Sequence, residues 1–470
     1  MFAILVHVIA SWFSAGFHHP DEHYQIIEYA NYKIGNISQS QLPWEFGENM
    51  RPGFQPFIFY VFYKIFLIFG LTNPFVMIFI LRLITSLLAI FTVYQLQKSL
   101  KPFFKNLEQE KIHLLLSLFC YALVYLQVRF SSESWSAIFY TLAISFVLQK
   151  HKHQYFLFGF FSGLSFICRY QSGFFIVGTG LWFLFIDKIS IKTFFKILIG
   201  FALTFCVGIL ADYWLYNKFV LTFWNYFYQN IFENKAAQFG TEPWYWYFTQ
   251  TIQHLFPPYG WVIIIGLIAL FKFRPKNIIT WSVISFLFFH CVTAHKEFRF
   301  LFPITFFIPY IIIVFIQWQQ QFIKGIYHKI MVFLGKLFWP INVVLLIIVI
   351  FKPAHELASV YKYLDENYKA STLLIYEEKN PYFSGTNEAV FLKPTMLNCV
   401  SMEQIKADSS LYYNYSQILY FTEKLNDENI HQNFKSTSLV YNNIPSWLMN
   451  FNVNNWVERS NHYLIYEVKK

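Results

Sequence analysis

Residues 75–96 read FVMIFILRLITSLLAIFTVYQL and carry one charged side chain, that of Arg82. A helix needs about 20 apolar residues to cross the roughly 30 Å hydrocarbon core of a bilayer, so this stretch is predicted to span a membrane. Because the run at 2–16 lacks the basic residues of a cleaved signal peptide, we predict a retained first helix and about eleven crossings in all. The other apolar runs lie at 112–128, 135–148, 155–167, 173–186, 194–213, 260–271, 278–293, 300–316 and 331–351.

The composition places the whole chain in the same class. Of its 470 residues, 56% are hydrophobic and 13% are charged, against roughly 25% charged in an average soluble domain. So little charge cannot cover a globule of this size in water, which excludes a soluble enzyme. The net charge of +10 comes from Lys and Arg dispersed between apolar runs, so we predict no nucleic-acid partner. The five cysteines show no metal-binding spacing, and we predict no metal site and no cofactor.

The apolar run at 54–71 decides the membrane topology of the chain. If this run is counted as a span, every later loop moves to the opposite side of the membrane. Pro52 and Pro56 near its start favour a helix that lies along the membrane surface. The lysine-rich loops between spans then all fall on one side, which the positive-inside rule makes cytoplasmic. The opposite side collects the tail after Lys352 and the polar segments at 18–50, 129–134, 169–172, 212–258 and 295–299.

The tail from residue 353 changes composition abruptly. Stretches at 372–376, 417–421 and 463–468 are separated by Asn-, Asp- and Ser-rich turns, a pattern that predicts short strands. We therefore predict an all-α polytopic membrane domain at 1–352, with its first external loop at 17–74. A small soluble α/β domain at 353–470 is predicted to follow on the non-cytoplasmic side.

The polar segment after the first helix reads HHPDEHYQ, residues 18–25. Asp21 and Glu22 at a membrane boundary suit acid–base chemistry on a lipid-linked substrate, because burial and neighbouring charge can separate their protonation. A second interpretation is helix capping, since Pro20 suits a first turn and acids are favourable near a helix N-terminus. The residues alone leave both open. The histidines lack a metal-ligand spacing such as HExxH.

A second cluster, HKEFR at residues 295–299, lies between two apolar runs. Ionisable residues at a bilayer edge are costly to dehydrate and indicate a functional site. Lys296 and Arg299 can bind a phosphate, Arg through its planar fork and Lys as a point charge. The alternative is a positive loop that anchors two helices, but the inferred side is the wrong one for such a loop.

Further polar and aromatic residues belong to the same predicted side. Aromatic rings beside carboxylates and amides suit sugars, which combine apolar C–H surfaces with hydroxyls. Trp and Tyr are also common at membrane interfaces, so each ring alone is better explained as an anchor. The set comprises Arg129, Glu133, Arg169, Asp212, Asn225, Glu242, Trp244, Trp246 and Gln250.

Taken together, six motifs in order resemble glycosyltransferase family 22. They are HPDEHYQ at 19–25, WEF at 44–46, RP at 51–52, DYWLY at 212–216, PWYWYF at 243–248 and HKEFRFLFP at 295–303. The resemblance covers roughly residues 1–305 and is strongest toward the members that act in GPI-anchor synthesis. It implies a GT-C fold and transfer of mannose from a dolichyl or polyprenyl phosphate sugar, with no metal required.

The resemblance also implies roles for single residues. Asp21 takes the position of a general base that deprotonates the acceptor hydroxyl in one inverting displacement, while Glu22 positions the acceptor or tunes Asp21. Arg51 departs from the family pattern, because Pro52 follows it directly where the family more often has Ser. Donor phosphate binding is assigned to His295, Lys296, Arg299 and Arg169. Acceptor or sugar binding is assigned to His19, Gln25, Arg51, Glu133, Asp212, Asn225, Trp244, Trp246 and Gln250.

Two other functions stay open from the sequence: a transporter or flippase of lipid-linked oligosaccharides, and a non-catalytic subunit of a glycosyltransferase complex. Polar clusters at one interface and the lack of a half-repeat disfavour a transporter, and the acidic pair disfavours a non-catalytic subunit. The predicted partners are a lipid-phosphate sugar donor, a lipid-linked glycan acceptor and membrane lipids. The predicted location is the bacterial inner membrane or the endoplasmic reticulum membrane, with the site on the non-cytoplasmic side.

Overall fold

The computed structural model describes residues 1–255, 258–383, 389–408, 410–425, 428–450, 452 and 455–469. Contacts divide the chain into two compact units. The first unit consists of Met1–Phe13, Pro43–Phe62 and Ile80–Lys352, and the second of Ser14–Leu42, Tyr63–Phe79 and Pro353–Lys470. Much of the predicted first external loop thus belongs to the same unit as the C-terminal part. The predicted domains at 1–352 and 353–470 stay a prediction.

Helices dominate the chain up to residue 351, and several begin at a polar cap. Asn106, Ser131, Ser190 and Asn277 each accept an N–H of the first helical turn, which satisfies a donor that the helix itself leaves unpaired. The α-helices of this part are α1 (Phe2–Phe13), α2 (Pro20–His23), α3 (Tyr29–Ile34), α4 (Trp44–Gly47), α5 (Phe54–Ile68), α6 (Pro74–Leu100), α7 (Leu107–Phe119), α8 (Tyr121–Gln127), α9 (Ser132–Leu148), α10 (Gln154–Cys168), α11 (Gly173–Trp182), α12 (Ile191–Tyr216), α13 (Thr222–Phe227), α14 (Trp246–His254), α15 (Tyr259–Phe273), α16 (Ile278–Val292), α17 (Ile308–Phe322) and α18 (Gly325–Phe351).

Shorter helical turns connect these elements. Those with 3₁₀ geometry are Gln39–Gln41, Lys101–Phe103, Tyr170–Ser172, Lys235–Phe239 and Phe298–Phe307. Those with π geometry are Tyr24–Glu28, Phe183–Asp187 and Tyr228–Phe232.

The predicted helical membrane architecture is confirmed in a coarser form than the sequence suggested. Among the described residues, 4 helical stretches are long and apolar enough to cross a membrane: Pro74–Phe103, Ile191–Tyr216, Phe298–Phe322 and Gly325–Phe351. Other predicted spans form shorter apolar helices such as α10, whose 15 residues rise only about 22 Å. The count of about eleven crossings is therefore not confirmed, and the surface placement of α5 stays a prediction.

Small residues allow a close helix contact in the first unit. α10 packs against both α9 and α12. A Cβ at Gly159 of α10 would lie 2.0 Å from the Ile197 carbonyl oxygen, and one at Gly200 of α12 would lie 2.3 Å from the Phe156 carbonyl oxygen. Glycine on both sides therefore lets the two backbones touch, as is common between membrane helices.

The C-terminal part, in the second unit, forms a small sheet with short helices. The sheet order is β2-β1-β3-β5-β4, with β1 parallel to β2 and β3, and β5 antiparallel to β3 and β4. β1, β3 and β5 confirm the three predicted strands; β2 and β4 were not predicted, because edge strands are partly exposed and more polar. The elements are α19 (Glu356–Asn367), β1 (Leu373–Tyr376), β2 (Asn398–Ser401), α20 (Met402–Ala407), α21 (Ser410–Tyr413), β3 (Ile418–Thr422), α22 (Glu428–Asn433), β4 (Ser436–Asn442), α23 (Ser446–Met449) and β5 (Leu464–Lys469), with 3₁₀ turns at Pro381–Phe383 and Val390–Leu392.

Replacing Gly159 with valine tests the contact between α10 and α12. The added atoms meet the Ile197 carbonyl, so we expect overpacking to lower stability by about 1–3 kcal/mol, measured by thermal unfolding in detergent. Gly180→Val is the control, because a Cβ at Gly180 has no heavy atom within 4 Å. Equal effects of the two substitutions would contradict the close approach.

Candidate active site

Asp21 and Glu22 lie in α2, at the start of a helical stretch of the second unit. The cap of this helix is His19, whose Nδ1 accepts the Asp21 N–H at 3.2 Å, and Pro20 occupies the first turn. Glu22 Oε2 accepts the His18 N–H at 2.9 Å. The Asp21 side chain stays 29% exposed, 3.7 Å from the His19 ring. The segment therefore begins a helix and still presents the Asp21 carboxylate at its surface.

The same stretch continues as the π helix Tyr24–Glu28. Gln25, predicted to bind the acceptor, is half-buried within it. Single π-helical turns are frequent at functional sites. We call residues 18–28 the acidic segment. Within the described residues, no group of three or more His, Cys, Asp or Glu side chains could hold a metal ion.

In the first unit, two buried arginines converge on one carboxylate. Arg169 Nη1 donates to Glu133 Oε1 at 2.7 Å and to Ser132 Oγ at 3.2 Å, and Arg299 Nη1 reaches the same Oε1 at 3.4 Å. Each of the three charged side chains belongs to a residue that is at most 9% exposed. The start of α9, the end of α10 and the turn before α17 supply one residue each. We call Glu133, Arg169 and Arg299 the arginine cluster.

Arg169 retains hydrogen-bonding capacity that its neighbours do not use. Its Nε and Nη2 are buried and have no hydrogen-bond partner among the residues that the structure describes. A buried donor left unsatisfied costs about 1–3 kcal/mol, and more when it is charged. Such donors require an explanation, and a ligand that supplies acceptor oxygens is one. Arg169 is thus the member of the cluster best prepared to bind an anion.

Arg299 is held by Glu297, a contact that the sequence did not predict. Arg299 Nε donates to Glu297 Oε2 at 2.5 Å and Nη2 donates to Oε1 at 3.2 Å, which makes a bidentate pair. The Phe300 ring centroid lies 5.4 Å from the guanidinium carbon of Arg299 and 5.2 Å from that of Arg169. Two glutamates balance the two arginines, so the site offers oriented N–H donors rather than a large net charge.

His295 and Lys296, both predicted to bind phosphate, connect two chain segments. His295 lies 3.0 Å through Nδ1 from the Gly240 carbonyl and 3.1 Å through Nε2 from Glu297 Oε1. The Lys296 ammonium donates to the Glu242 carbonyl at 2.9 Å. Burial lowers the pKa of Lys296, because removing the ammonium from water disfavours its charged form. These contacts fix the 240–242 segment beside the arginine cluster; direct phosphate binding by either residue stays a prediction.

Asp212, predicted to bind the acceptor, joins three parts of the first unit. Its Oδ1 accepts the Gly53 N–H at 2.7 Å, and its other oxygen accepts the hydroxyl of Thr222. Asn225 adds bonds from Nδ2 to the backbone carbonyls of residues 48 and 49, at 3.3 and 3.2 Å. Asp212 is 6% exposed and both of its oxygens are engaged within the chain. The contacts of these two residues are those of a brace between the 43–53 segment, α12 and α13.

Arg51 belongs to the same brace. Its side chain pairs with Glu45, and its carbonyl accepts the Tyr216 hydroxyl at 2.8 Å. The Arg51 guanidinium also lies 5.4 Å from the centre of the Tyr226 ring, whose hydroxyl accepts a bond from Gln171. Arg51 therefore fixes the end of the 43–53 segment with charge, hydrogen bonds and a ring contact together.

The three predicted residues near α14 have different surroundings. Trp244 is 65% exposed, whereas Trp246 packs against the buried core of the first unit. Gln250 Nε2 donates to Gln253 Oε1 at 3.1 Å on the exposed side. Trp244 is thus the ring with a surface to offer a sugar, and Trp246 has a packing role.

Several contributors to these contacts were not singled out from the sequence. Glu297 lies in the mixed-charge run at 295–299, between Lys296 and Arg299. Its position between two basic residues could have indicated an ion pair. Glu45 follows Trp44 in one of the family-like motifs. Thr222 and Tyr226 carry no signal, because a lone hydroxyl in an aromatic segment has many structural uses.

The family whose model matches this chain is described as the Alg9-like mannosyltransferase family, and the match covers residues 1–374. GPI mannosyltransferase 3 of Candida albicans is 27% identical over 293 residues, which are 61% of this chain and 57% of that protein. GPI alpha-1,2-mannosyltransferase 3 of Danio rerio is 24% identical over 289 residues, 61% of this chain and 53% of that protein. The chain thus aligns with little more than half the length of these relatives.

A solved structure shares the fold. ArnT from Cupriavidus metallidurans, bound to undecaprenyl phosphate, superimposes with a TM-score of 0.52 over 99% of this chain and 96% of ArnT, at 11% sequence identity. At that identity the likeness concerns the fold alone, and it agrees with the predicted GT-C architecture.

Asp212→Ala tests the brace. It removes the acceptor of the buried Gly53 N–H, whereas the Thr222 hydroxyl keeps the Tyr170 hydroxyl as a partner. We therefore expect a loss of about 1–3 kcal/mol in stability and faster proteolysis within residues 43–53. Asp187→Ala is the control, because Asp187 accepts an exposed bond from Tyr155 and, among the described residues, joins no other segment. Thermal unfolding and limited proteolysis in detergent measure both effects. A Tm and cleavage rate equal to those of the control would contradict the brace.

Proposed function

The chain belongs to the Alg9-like mannosyltransferase family, as its motifs predicted, and we propose that it transfers a mannosyl group from a polyprenyl or dolichyl phosphate sugar to a lipid-linked glycan. The observation that carries this proposal is the arginine cluster, in which Arg169 keeps two buried N–H donors unpaired among the described residues. A departing phosphate monoester supplies the acceptor oxygens that these donors lack. Donors fixed before the reaction stabilise charge as it develops on the leaving group.

The donor phosphate is bound by Arg169 and Arg299, each in a fixed orientation. Glu133 holds Arg169 through Nη1, which leaves Nε and Nη2 as an adjacent pair of donors. An adjacent pair on one guanidinium matches two phosphate oxygens bidentately. Glu297 fixes Arg299 in the same manner. His295 and Lys296 support this arrangement by holding the 240–242 segment.

An apolar cavity in the first unit suits the lipid part of the donor. It encloses about 740 Å³ and is lined mainly by aliphatic and aromatic side chains of α7, α8, α15, α17 and α18, Leu116 and Ile264 among them. Phe298 and Leu301, on either side of Arg299 in the sequence, belong to its wall, and so do Gln319 and His328 farther along the chain. We assign the first isoprene units to this cavity. The isoprenoid phosphate named with ArnT supports the same class of ligand.

Asp21 acts as the general base in this proposal. It removes the proton from the acceptor hydroxyl as the new bond forms between that oxygen and the anomeric carbon. The bond from the anomeric carbon to the phosphate oxygen breaks at the opposite face, and the lipid phosphate leaves with both electrons. One displacement inverts the anomeric centre, so a β-linked donor gives an α-linked product, the linkage in the name of the zebrafish relative. Glu22 and His19 adjust the protonation and orientation of Asp21.

The acceptor is a glycolipid of the GPI-precursor class, which the names of the relatives support. Within the second unit, Gln25 offers an amide to its sugars. Within the first unit, Trp244 offers an exposed ring, and Arg51, Asp212 and Asn225 brace the 43–53 segment. The reaction takes place on the non-cytoplasmic side of the endoplasmic reticulum or bacterial inner membrane. A flippase finds no support, since the matching family and the relatives reported above are transferases.

Arg169→Ala tests donor binding. Loss of a buried, hydrogen-bonded charge costs roughly 2–5 kcal/mol, so we expect the KM for a polyprenyl phosphate mannose to rise about thirtyfold or more. Arg169→Lys restores charge without the fork and should recover only part of the loss. Arg274→Ala, which removes an arginine bonded to Gln317, is the control with an unchanged donor KM. A normal donor KM in Arg169→Ala would refute the phosphate assignment.

Asp21→Asn tests the base. The amide keeps the shape of the side chain and cannot take a proton, so we expect transfer to fall to background in proteoliposomes with a lipid-phosphate mannose and a GPI precursor. Donor binding and thermal stability should stay at wild-type values. Undiminished transfer would refute the assignment of Asp21.

A further inference from the structure

Glu28 is a buried carboxylate of the acidic segment to which the proposed chemistry gives no role. Glu28 is the last residue of the π helix Tyr24–Glu28, which directly follows α2, the helix that carries Asp21 and Glu22. Glu28 is 1% exposed, and its partner His23 is 2% exposed. A carboxylate removed from water in this way is tolerated only where its charge and lone pairs are satisfied. The contacts of Glu28 therefore indicate its role.

Three donors satisfy this carboxylate. Oε1 lies 2.8 Å from His23 Nε2 and accepts the backbone N–H of Phe391 at 2.9 Å. Oε2 accepts Asn31 Nδ2 at 2.8 Å, and Asn31 in turn accepts a bond from Asn36 at 2.8 Å. His23 follows Glu22 directly, so the network begins at the acidic pair itself. It ends on the 3₁₀ turn Val390–Leu392 of the C-terminal part.

The residues just before the acidic segment are fixed to the same part of the chain. The Ala15 carbonyl accepts the N–H groups of Ala354 and His355 at 2.8 and 3.1 Å. Phe17 stacks on the His355 ring, with centroids 4.4 Å apart. Between them, Gly16 has a left-handed φ of 84°, and a Cβ there would lie 2.6 Å from the Cβ of His355. Asp21 thus stands between two attachments to the C-terminal part, one at Ala15 and one at Glu28.

We infer that Glu28 is a positioning residue for the transfer reaction. Its carboxylate holds the helical stretch that carries Asp21 and Glu22 against the Phe391 N–H, so the C-terminal part of the chain is needed for the chemical step. The inference rests on the proposed function, because it assigns Glu28 to the orientation of the proposed base. It also gives the C-terminal part a task in the reaction itself.

The network requires a carboxylate at this position. Glutamine keeps the shape but presents an amide nitrogen in place of one acceptor oxygen. If its oxygen faces His23 and Phe391, its nitrogen faces the donor nitrogen of Asn31. Rotating the Asn31 amide to correct this would remove the acceptor that Asn36 uses. Glu28→Gln is therefore expected to leave at least one buried donor unsatisfied and the stretch displaced.

The primary measurement is the transfer kinetics of the full-length Glu28→Gln protein in proteoliposomes. A displacement of about 1 Å costs roughly a hundredfold in rate, so we expect kcat to fall tenfold or more while the KM for donor and for acceptor stays within twofold. Glu366→Gln, on the exposed side of α19, is the matched control and should keep the wild-type kcat. An unchanged kcat in Glu28→Gln, or a loss confined to KM, would overturn the inference.

A double-mutant cycle isolates the bond to Phe391. Phe391→Pro removes the N–H, whereas Phe391→Leu keeps the N–H and removes only the ring. We expect Phe391→Pro to lower kcat and Phe391→Leu to spare it, and the double variant with Glu28→Gln to be no slower than the slower single variant. Additive losses would overturn the inference. This comparison at position 391 stays decisive if Glu28→Gln does not fold.

The outcome separates this inference from the proposed function. Active Asp21→Asn would refute the assigned base, whatever Glu28→Gln does. Inactive Asp21→Asn together with fully active Glu28→Gln would refute only the positioning role.

Discussion

A charge buried in a medium of low dielectric is tolerated only where another group pairs with it and satisfies its hydrogen bonds. This constraint explains the contacts of the buried charged residues in this protein. Only 13% of the residues are charged. Glu133 joins the start of α9, the end of α10 and the turn before α17 through two arginines. Asp212 joins the 43–53 segment to α12 and α13. Buried carboxylates thus stand where chain segments must meet.

The same constraint distinguishes two kinds of residue. Some have their polar atoms engaged within the chain, whereas others have buried donors that a ligand can use. Asp212 has both oxygens engaged, and Lys296 donates to backbone carbonyls. Arg169 differs, because one of its nitrogens is held by Glu133 while two others have no partner among the described residues. An enzyme that stabilises a leaving phosphate needs this combination, since a donor fixed in advance does not have to reorganise during the reaction.

The sequence predicted the class of the molecule, and it singled out several residues that the structure brings into contact. Residues 75–96 indicated a membrane helix because apolar length is a local property, and the three inner strands of the C-terminal sheet were visible for the same reason. The edge strands β2 and β4 were missed, since partial exposure permits polar residues there. Glu133 and Arg169 were selected as polar residues on the same predicted side of the membrane. The contact of Arg169 and Arg299 with one oxygen of Glu133 was not predictable, because packing that no single segment encodes brings α9 and α10 together.

Roles were harder to predict than positions. His295 and Lys296 were predicted to bind phosphate, which stays a prediction, and the contacts found for them connect the 240–242 segment to the 293–297 turn. Glu28 did not stand out in the sequence, because its partner Phe391 lies 363 residues away and offers only a backbone N–H. Almost every residue type has a backbone N–H, so the residue type of such a partner gives no sequence signal. Tertiary structure is therefore needed to distinguish a ligand from a brace.

The most direct measurement of the central claim is an experimental structure of the full-length protein with a polyprenyl phosphate bound. We expect phosphate oxygens within hydrogen-bond distance of Arg169 Nε and Nη2, and the first isoprene units in the cavity beside Phe298 and Leu301. A phosphate bound elsewhere, with those two nitrogens still without an acceptor, would contradict it.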